Sequence, residues 1–234
     1  MINNVTVIGS GLMGSAIAAH LANAGCKVNL LDIVDINQKD RNYLSKKAIK
    51  KLSIIKPSPI TLKENIKFIK PGNIEDNLEL INSSDWVIEA IIEDINIKKK
   101  LYKKIESIME EDIIISSNTS TIPIKLLTEN LSTKFKNNFL ITHFFNPPRY
   151  LKLLEVVQSD DLDLKVFNKI VNFADIKLGK TVIKTKDTPG FIGNRIGIFW
   201  IERAAIEAFK HDLTTEEADS IIMNLFKVPK TGVF

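Results

Sequence analysis

Three glycines, Gly9, Gly11 and Gly14 of the segment GSGLMG, directly follow a short β-branched run near the N terminus. The Ala-rich segment that comes next ends at Gly25, a natural stop signal for a helix. A second strand-like segment, KVNLLD, follows it. This order predicts a strand, a tight glycine turn, a helix and a second strand. The spacing of the glycines is informative only in this context, after a strand and at the start of a helix.

The glycine turn is a candidate site for the diphosphate of a dinucleotide, and a purely structural turn is the weaker alternative. Gly9 permits the tight turn, Gly11 lets a pyrophosphate approach the backbone, and Gly14 lets helix and strand pack closely. Asp32 ends the second strand about 20 residues further on, where a carboxylate accepts ribose hydroxyls and repels an added 2′-phosphate. We therefore predict that NAD is the cofactor, bound by Gly9, Ser10, Gly11, Leu12, Met13, Gly14 and Asp32.

Strand-like and helical segments alternate along most of the chain. Further strands are predicted at residues 65–69, 85–91, 113–118, 139–145, 152–157 and 181–187, and helices at 42–52, 95–109 and 164–178. This alternation predicts an α/β fold with a Rossmann-type, doubly wound, mostly parallel sheet. After Pro189 the pattern changes to two helical segments, 191–210 and 215–226. We therefore predict an NAD-binding domain at residues 1–187 and the beginning of an all-α C-terminal domain at residues 188–234.

The composition limits the class of protein. With 44% hydrophobic and 26% charged residues, the 234-residue chain is ordinary for a soluble globular protein, and it has no apolar run long enough to span a membrane. The single cysteine, Cys26, rules out an intrachain disulfide and fits a cytoplasmic location. The net charge is +4, and lysines cluster at residues 45–51 and 98–104. Solvated helix faces are the favoured interpretation of both clusters, ahead of nucleic acid or a multiply phosphorylated small molecule.

Four polar side chains stand near the ends of predicted strands: Glu93, Ser120, His143 and Asn146. Ligands of an open parallel sheet bind outside the carboxyl ends of its strands, so these side chains are expected to face one crevice. Asn194 lies just inside a predicted helix that could lean over that crevice. We predict neither a metal site nor a nucleic-acid partner.

A lone carboxylate, Glu155, interrupts the apolar segment LKLLEVV. An unpaired buried carboxylate is costly, and His143, at the end of another apolar segment, is the economical partner for it. Imidazole titrates near neutral pH, so it suits proton removal there. A neighbouring acid can fix its tautomer and stabilise the imidazolium.

Five motifs carry a resemblance to a known family: GSGLMGSAIAAHLANAG, SSNTST, HFFNPP, LKLLEVV and KDTPGFIGNRI. In this order they resemble the L-3-hydroxyacyl-CoA dehydrogenase family of fatty-acid β-oxidation, and the resemblance covers nearly the whole chain. THFFNPPRYLKLLE and PGNIEDNLELI look closest to a bacterial subgroup in which an enoyl-CoA hydratase part follows the dehydrogenase part. The family implies NAD-dependent oxidation of an acyl-CoA substrate, by a homodimer held together by the complete C-terminal domain.

The resemblance also implies roles at matching positions. His143 would be the general base, and Glu155 its orienting partner. Ser120 would contact the substrate oxygen and the cofactor, and Asn194 would help to hold the reacting carbonyl. Three further residues would lie near the ribose of the cofactor: Glu93, Lys98 and Asn146. The lysine cluster at residues 45–51 is only a candidate for the CoA phosphates, because this part of the chain differs from the mitochondrial type.

The helical domain of the family is longer than the segment after residue 187. We therefore expect this chain to be truncated or to be the leading part of a longer polypeptide, with an exposed apolar patch around Phe199 and Trp200. Three alternatives remain open: a dehydrogenase of a 3-hydroxy acid without CoA, a non-catalytic NAD-binding protein on the same fold, and a nucleic-acid-binding protein that uses the lysine clusters. HFFNPP disfavours the first alternative, and the intact His143–Glu155 pair disfavours the second.

Overall fold

The computed structural model describes residues 2–110, 113–227 and 232–234. Contacts within the chain divide it into two units, Met1–Pro189 and Gly190–Phe234. The predicted domain boundary, after residue 187, lies just before this division. The first unit holds a sheet and its flanking helices, and the second is helical.

Within the described residues, the first unit is built on one eight-stranded sheet. Its strands are β1 (Asn4–Ile8), β2 (Lys27–Asp32), β3 (Ile69–Asn73), β4 (Trp86–Glu89), β5 (Ile114–Ser117), β6 (Phe139–Phe144), β7 (Leu153–Val157) and β8 (Thr181–Thr185). They lie in the order β3-β2-β1-β4-β5-β6-β7-β8, and every described pairing except β6 with β7 is parallel. The predicted α/β fold with a Rossmann-type, mostly parallel sheet is confirmed.

Helices form many of the connections between these strands. In the first unit they are α1 (Leu12–Asn23), α2 (Tyr43–Leu52), α3 (Ile95–Ile108), α4 (Ile124–Leu127), α5 (Thr133–Asn137) and α6 (Leu164–Ile176). Asp94 caps the start of α3 by accepting a hydrogen bond from the backbone N–H of Asn96, and Asp163 caps α6 by accepting one from Lys165. The predicted helices at residues 42–52, 95–109 and 164–178 are therefore present, with small changes at their ends.

The strand predicted at residues 65–69 is wrong in position. The structure has a 3-10 helix at Lys63–Phe68, and β3 begins only at Ile69. The apolar side chains that suggested a strand, including Ile66, pack from the 3-10 helix against the core. The true strand runs through Pro71, a residue typical of turns, which is tolerated because β3 lies at the edge of the sheet.

The order of the strands creates a crevice at the centre of the sheet. All residues of β4, β5 and β6 are buried, as expected for strands covered on both faces. The connections run in opposite directions from β1 and β4, so a crevice opens between the loops that follow these two strands. The turn at Gly9 contacts Ala90, the first residue after β4, which places the glycine turn at this crevice.

His20 on α1 is a half-buried histidine whose Nε2 lies 3.1 Å from the carbonyl oxygen of Leu178. Burial, together with the nearby positive charge of Lys180, lowers the pKa of His20 from 6.5 to about 4. Between pH 6.5 and about pH 4 the unfolded chain binds a proton at His20 more readily than the folded protein does. The position therefore favours unfolding as the pH falls from 6.5 towards 4.

We expect His20→Gln to reduce the loss of stability on acidification. The Gln side chain keeps a donor for Leu178 but does not titrate. Between neutral pH and about pH 5, the free energy of unfolding should therefore fall by about 2 kcal/mol less in His20→Gln than in the unsubstituted protein. At neutral pH the free energies of unfolding of the two proteins should differ only by the effect of the substitution on packing. Urea titrations of both proteins at neutral pH and at about pH 5 measure the difference. An equal loss of stability in the two proteins would contradict the expectation.

In its described residues, the second unit has two helices, α7 (Gly193–Lys210) and α8 (Thr215–Phe226). The start of α8 is fixed by a capping box of Thr214 and Glu217. None of the helices in the described part of the chain combines the length and the hydrophobicity needed to span a membrane.

Apolar side chains of the second unit face solvent. Phe199 is 63% exposed, so the predicted apolar patch is present at this residue. Trp200 is only half-buried and packs edge-on against Phe226, with ring centroids 5.9 Å apart. This contact between α7 and α8 makes Trp200 a smaller part of the patch than expected.

Candidate active site

The three glycines of the turn after β1 have different surroundings. A Cβ at Gly14 would lie 1.8 Å from the carbonyl oxygen of Gly9, so the start of α1 has no room for a side chain there. Gly9 has a φ of +102°, and a Cβ there would lie 2.5 Å from the carbonyl oxygen of Ala90. A Cβ at Gly11, by contrast, would meet no atom within 4 Å. Gly11 therefore borders open space at the N terminus of α1, where a helix stabilises an anionic group.

Asp32, the last residue of β2, is held beside the glycine turn. Its Oδ2 accepts hydrogen bonds from the backbone N–H of Ser10 (2.7 Å) and from the Ser10 hydroxyl, and its Oδ1 accepts one from the N–H of Ile33 (2.7 Å). A cavity of about 530 Å³ lies next to it, lined mostly by apolar side chains together with Gly11, Asp32, Lys100 and Lys104. An apolar cavity with a carboxylate on its wall suits a flat aromatic base joined to a ribose.

His143 and Glu155 face each other on neighbouring antiparallel strands. They are register partners in β6 and β7, and His143 Nδ1 lies 2.8 Å from Glu155 Oε2. Both side chains are buried, with 6% and 1% of their surface exposed. The ring of Phe145 packs against the imidazole at a centroid distance of 4.5 Å. A carboxylate that accepts a hydrogen bond from Nδ1 holds the neutral ring in the tautomer whose Nε2 is basic.

The turn that carries Ser120 follows β5 and is fixed from two sides. Asn118 Oδ1 accepts a hydrogen bond from the backbone N–H of Phe144, the last residue of β6, at 2.9 Å. Glu93 Oε1 accepts hydrogen bonds from the Thr119 hydroxyl (2.5 Å) and from the backbone N–H of Ser120 (2.9 Å). The Ser120 turn is therefore tied to the strand of the histidine and to the loop after β4.

Lys98, which the resemblance places near the cofactor, is buried in the structure. Its Nζ lies 2.6 Å from Glu89 Oε1 and 3.3 Å from Glu93 Oε2, and its side chain is 1% exposed. Burial acts to raise the pKa of Glu93, but the hydrogen bond from Thr119 and the charge of Lys98 lower this pKa below its usual value overall. Lys98 is thus the ionic partner of two carboxylates, and its place near the ribose stays a prediction.

The remaining predicted residues lie elsewhere. Asn146 is exposed in the turn after β6, and Asn194 lies on the first turn of α7, in the second unit. Their roles stay predictions. In the lysine cluster of α2, Lys47 and Lys51 line a groove of about 400 Å³ together with Ser10 and other residues.

Two buried polar residues of this region have no role in the sequence-based predictions. Glu89 ends β4 and lies in a strand-like apolar segment, and Asn118 directly follows β5. A lone acid in an apolar strand is the same signal that pointed to Glu155, so Glu89 could have been found by it. Asn118 stands inside SSNTST, where the neighbouring hydroxyl residues drew the assignment to Ser120.

Residues 4–188 match the family model described as "3-hydroxyacyl-CoA dehydrogenase, NAD binding domain". The chain belongs to this family. The resemblance carried by the five sequence motifs is therefore confirmed, and NAD is the cofactor of this domain. The residues present fit it: Gly11 borders open space for a pyrophosphate, and Asp32 stands beside an apolar cavity for the adenosine.

Three similar proteins show the extent of the match. A putative fatty acid oxidation complex trifunctional enzyme from Rickettsia felis is 46% identical over 233 residues, which are 100% of this chain and 32% of that protein. A probable 3-hydroxyacyl-CoA dehydrogenase from Deinococcus radiodurans is 44% identical over 220 residues, 94% of this chain and 64% of that protein. The crystal structure of (S)-3-hydroxybutyryl-CoA dehydrogenase from Ralstonia eutropha matches with a TM-score of 0.80 at 28% identity, over 98% of this chain and 79% of that chain. The chain thus spans only part of the length of these relatives.

Proposed function

We propose that this protein catalyses the NAD-dependent oxidation of L-3-hydroxyacyl-CoA to 3-ketoacyl-CoA in fatty-acid β-oxidation. The observation that carries the proposal is the buried His143–Glu155 pair, 2.8 Å apart, in the same sheet as β1, the strand that precedes the glycine turn. The names of relatives support the substrate class. The Rickettsia felis relative is a putative fatty acid oxidation complex enzyme, and the Ralstonia eutropha structure is a 3-hydroxybutyryl-CoA dehydrogenase.

Oxidation of a secondary alcohol requires the loss of the hydroxyl proton and of the hydrogen on C3 with its electron pair. NAD bound at the glycine turn supplies the hydride acceptor. His143 takes the hydroxyl proton at Nε2 while the C3–O bond becomes a carbonyl. Glu155 accepts a hydrogen bond from Nδ1 and stabilises the imidazolium that results. In this proposal Ser120 and Asn194 donate hydrogen bonds to the reacting oxygen and hold it in place.

Glu155→Gln should lower kcat and change its dependence on pH. A carboxamide retains polar contact with the imidazole but carries no charge, so the imidazolium is less stable and the base is weaker. We expect kcat to fall by about tenfold to a hundredfold and the acidic limb of the kcat profile to move to lower pH. Glu202→Gln, on the exposed surface of α7, is the matched control and should change neither quantity. A normal kcat and an unmoved limb in Glu155→Gln would refute the role of the pair.

Asp32 should give the protein a strong preference for NAD(H) over NADP(H), since its carboxylate repels a 2′-phosphate. Asp32→Ala should weaken NADH binding by about 1–3 kcal/mol and bring the two affinities closer together. Fluorescence titration with both reduced cofactors measures this preference, and Asp35→Ala serves as the control for a nearby acid. Equal affinities of the unsubstituted chain for NADH and NADPH would overturn the assignment.

Lys47 and Lys51 are our candidates for binding the phosphates of CoA. They project into the groove beside the glycine turn, on a helix whose last turn also carries Lys50. A dehydrogenase of a free 3-hydroxy acid, the first alternative, has no need of cations that bind the phosphates of CoA. A non-catalytic NAD-binding protein, the second alternative, has no need of a buried histidine paired with an acid.

The proposal extends to assembly and location. We propose a homodimer formed through a complete C-terminal helical domain, and a fusion to an enoyl-CoA hydratase part in the natural polypeptide. The trifunctional name of the Rickettsia felis relative and its greater length support the fusion. We also propose a cytoplasmic location, which the single buried cysteine, Cys26, supports.

A further inference from the structure

A second buried acid, Glu89, lies at the carboxyl end of β4 and has no part in the proposed chemistry. Its side chain is completely buried. Oε1 accepts hydrogen bonds from Lys98 Nζ (2.6 Å) and from the backbone N–H of Ile91 (2.8 Å). Oε2 accepts hydrogen bonds from the Tyr102 hydroxyl (2.5 Å) and the Ser117 hydroxyl (2.6 Å). A carboxylate is costly to bury without such partners, and these four donors hold Glu89 in one position.

Two of these partners continue the contacts towards the candidate active site. The Ser117 hydroxyl oxygen accepts a hydrogen bond from the backbone N–H of Thr119 (3.1 Å), and Lys98 forms a longer series of contacts. Lys98 Nζ also lies 3.3 Å from Glu93 Oε2, and Glu93 uses its other oxygen to hold the Thr119 hydroxyl and the N–H of Ser120. The contacts thus run without interruption from Glu89 through Lys98 and Glu93 to the Ser120 turn. Every distance in this series is within the range of a hydrogen bond or an ion pair.

The two oxygens of Glu89 serve different neighbours, which allows their roles to be separated. Burial and the adjacent charge of Glu89 raise the pKa of Tyr102 well above its usual value, so the phenol stays protonated and donates. Tyr102 and Ser117 contact only Oε2, whereas Lys98 contacts Oε1. A change at Tyr102 therefore disturbs Glu89 without removing the partner of Lys98.

We propose that Glu89 is a positioning residue: it orients Lys98 so that the ammonium holds Glu93, and Glu93 in turn fixes the turn that presents Ser120. This inference deepens the proposed function and rests on it, because Ser120 is the residue assigned to the substrate oxygen and the cofactor. The simpler possibility is that Glu89 only neutralises Lys98 in the core. The two possibilities differ in whether Glu93 transmits the effect.

A double-mutant cycle between Glu89 and Glu93 separates these possibilities. Glu89→Gln and Glu93→Gln should each weaken NADH binding by about fivefold, the size expected for one lost polar contact. If Glu89 acts through Glu93, the double variant should bind NADH no more weakly than Glu93→Gln alone. Additive losses, or unchanged NADH binding in Glu89→Gln, would overturn the proposal. Should Glu89→Gln fail to fold, Glu89→Asp, which retains the charge but is one methylene shorter, takes its place in the cycle with the same expected non-additivity.

Hydrogen exchange in the chain without cofactor gives an independent measurement. Glu93 Oε1 lies 2.9 Å from the backbone N of Ser120 and 3.3 Å from that of Thr121. Glu89→Gln should speed exchange of these two amides relative to the rest of the sheet, whereas Tyr102→Phe should leave them unchanged. Unchanged exchange in Glu89→Gln would contradict the proposal. A chain that binds no NADH would count against the proposed function instead, and the exchange result would still decide the role of Glu89.

Discussion

His143→Ala should remove most dehydrogenase turnover while leaving NADH binding nearly intact. The substitution deletes the group that takes the substrate proton but lies on β6, away from the glycine turn after β1. The loss of kcat should be about a hundredfold or more, the usual range for a positioned general base. Because the match covers only 64% of the Deinococcus radiodurans relative, we would use a chimera in which this chain is joined to the unmatched segment of that relative.

Two controls accompany this substitution. His143→Ala leaves Glu155 buried without its imidazole, which lowers stability as well as turnover. His143→Gln keeps a donor near Glu155, so it should be more stable than His143→Ala and equally inactive. His211→Ala changes an exposed histidine just after α7 and should leave turnover unchanged. Near-normal turnover in either variant of His143 would show that another group is the base.

Gly14→Ala should abolish NADH binding and destabilise the fold, whereas Gly11→Ala should weaken binding alone. At Gly14 the added methyl would lie 1.8 Å from a backbone oxygen, and no flexible side chain can move aside to relieve this. At Gly11 the methyl would meet no protein atom within 4 Å, so folding should proceed normally. It would instead enter the space that a pyrophosphate needs. We expect about a tenfold or greater loss of NADH affinity, as the diphosphate is forced off the N–H groups of α1.

The comparison between these two variants carries its own control. Thermal unfolding should show a clear fall in Tm for Gly14→Ala and almost none for Gly11→Ala. NADH fluorescence titration should show a loss in both. If Gly11→Ala bound NADH as tightly as the unsubstituted chain, the open space beside Gly11 would not be the pyrophosphate site.

Local patterns were sufficient to predict much of the fold. The order of strand, glycine turn, helix and strand was sufficient to predict the places of Gly9, Gly14 and Asp32, because all three belong to one continuous segment with a recognisable pattern. The pairing of His143 with Glu155 is a long-range contact, but the cost of burying a lone acid was enough to predict it. The strand predicted at residues 65–69 was wrong because this apolar segment forms a 3-10 helix that ends at Phe68, and only the edge position of β3 in the folded sheet makes Pro71 acceptable in a strand.

The contacts between the buried polar residues were harder to predict from the sequence. Lys98 belongs to a run of lysines, and only its helical spacing to the buried Leu101, Tyr102 and Ile105 distinguishes it from Lys99 and Lys100. Lys98 is buried because its position on α3 faces the carboxyl ends of β4 and β5, where its ammonium forms an ion pair with Glu89. The structural role of Asn118 likewise depends on a distant residue, because its side-chain oxygen accepts a hydrogen bond from the backbone N–H of Phe144 in β6. Such contacts depend on the tertiary arrangement of three strands, which local periodicity does not specify.

The most direct test of the proposed function is the reduction of NAD+ by the chimera with two substrates side by side, L-3-hydroxybutyryl-CoA and free L-3-hydroxybutyrate. We predict that NADH forms rapidly with the CoA ester, that formation with the free acid is at most about a hundredth as fast, and that NADP+ replaces NAD+ poorly. Equal rates with the ester and the free acid would contradict the assignment to acyl-CoA substrates. No NADH from either substrate, by a folded chimera that binds NADH, would contradict the proposed dehydrogenase activity itself.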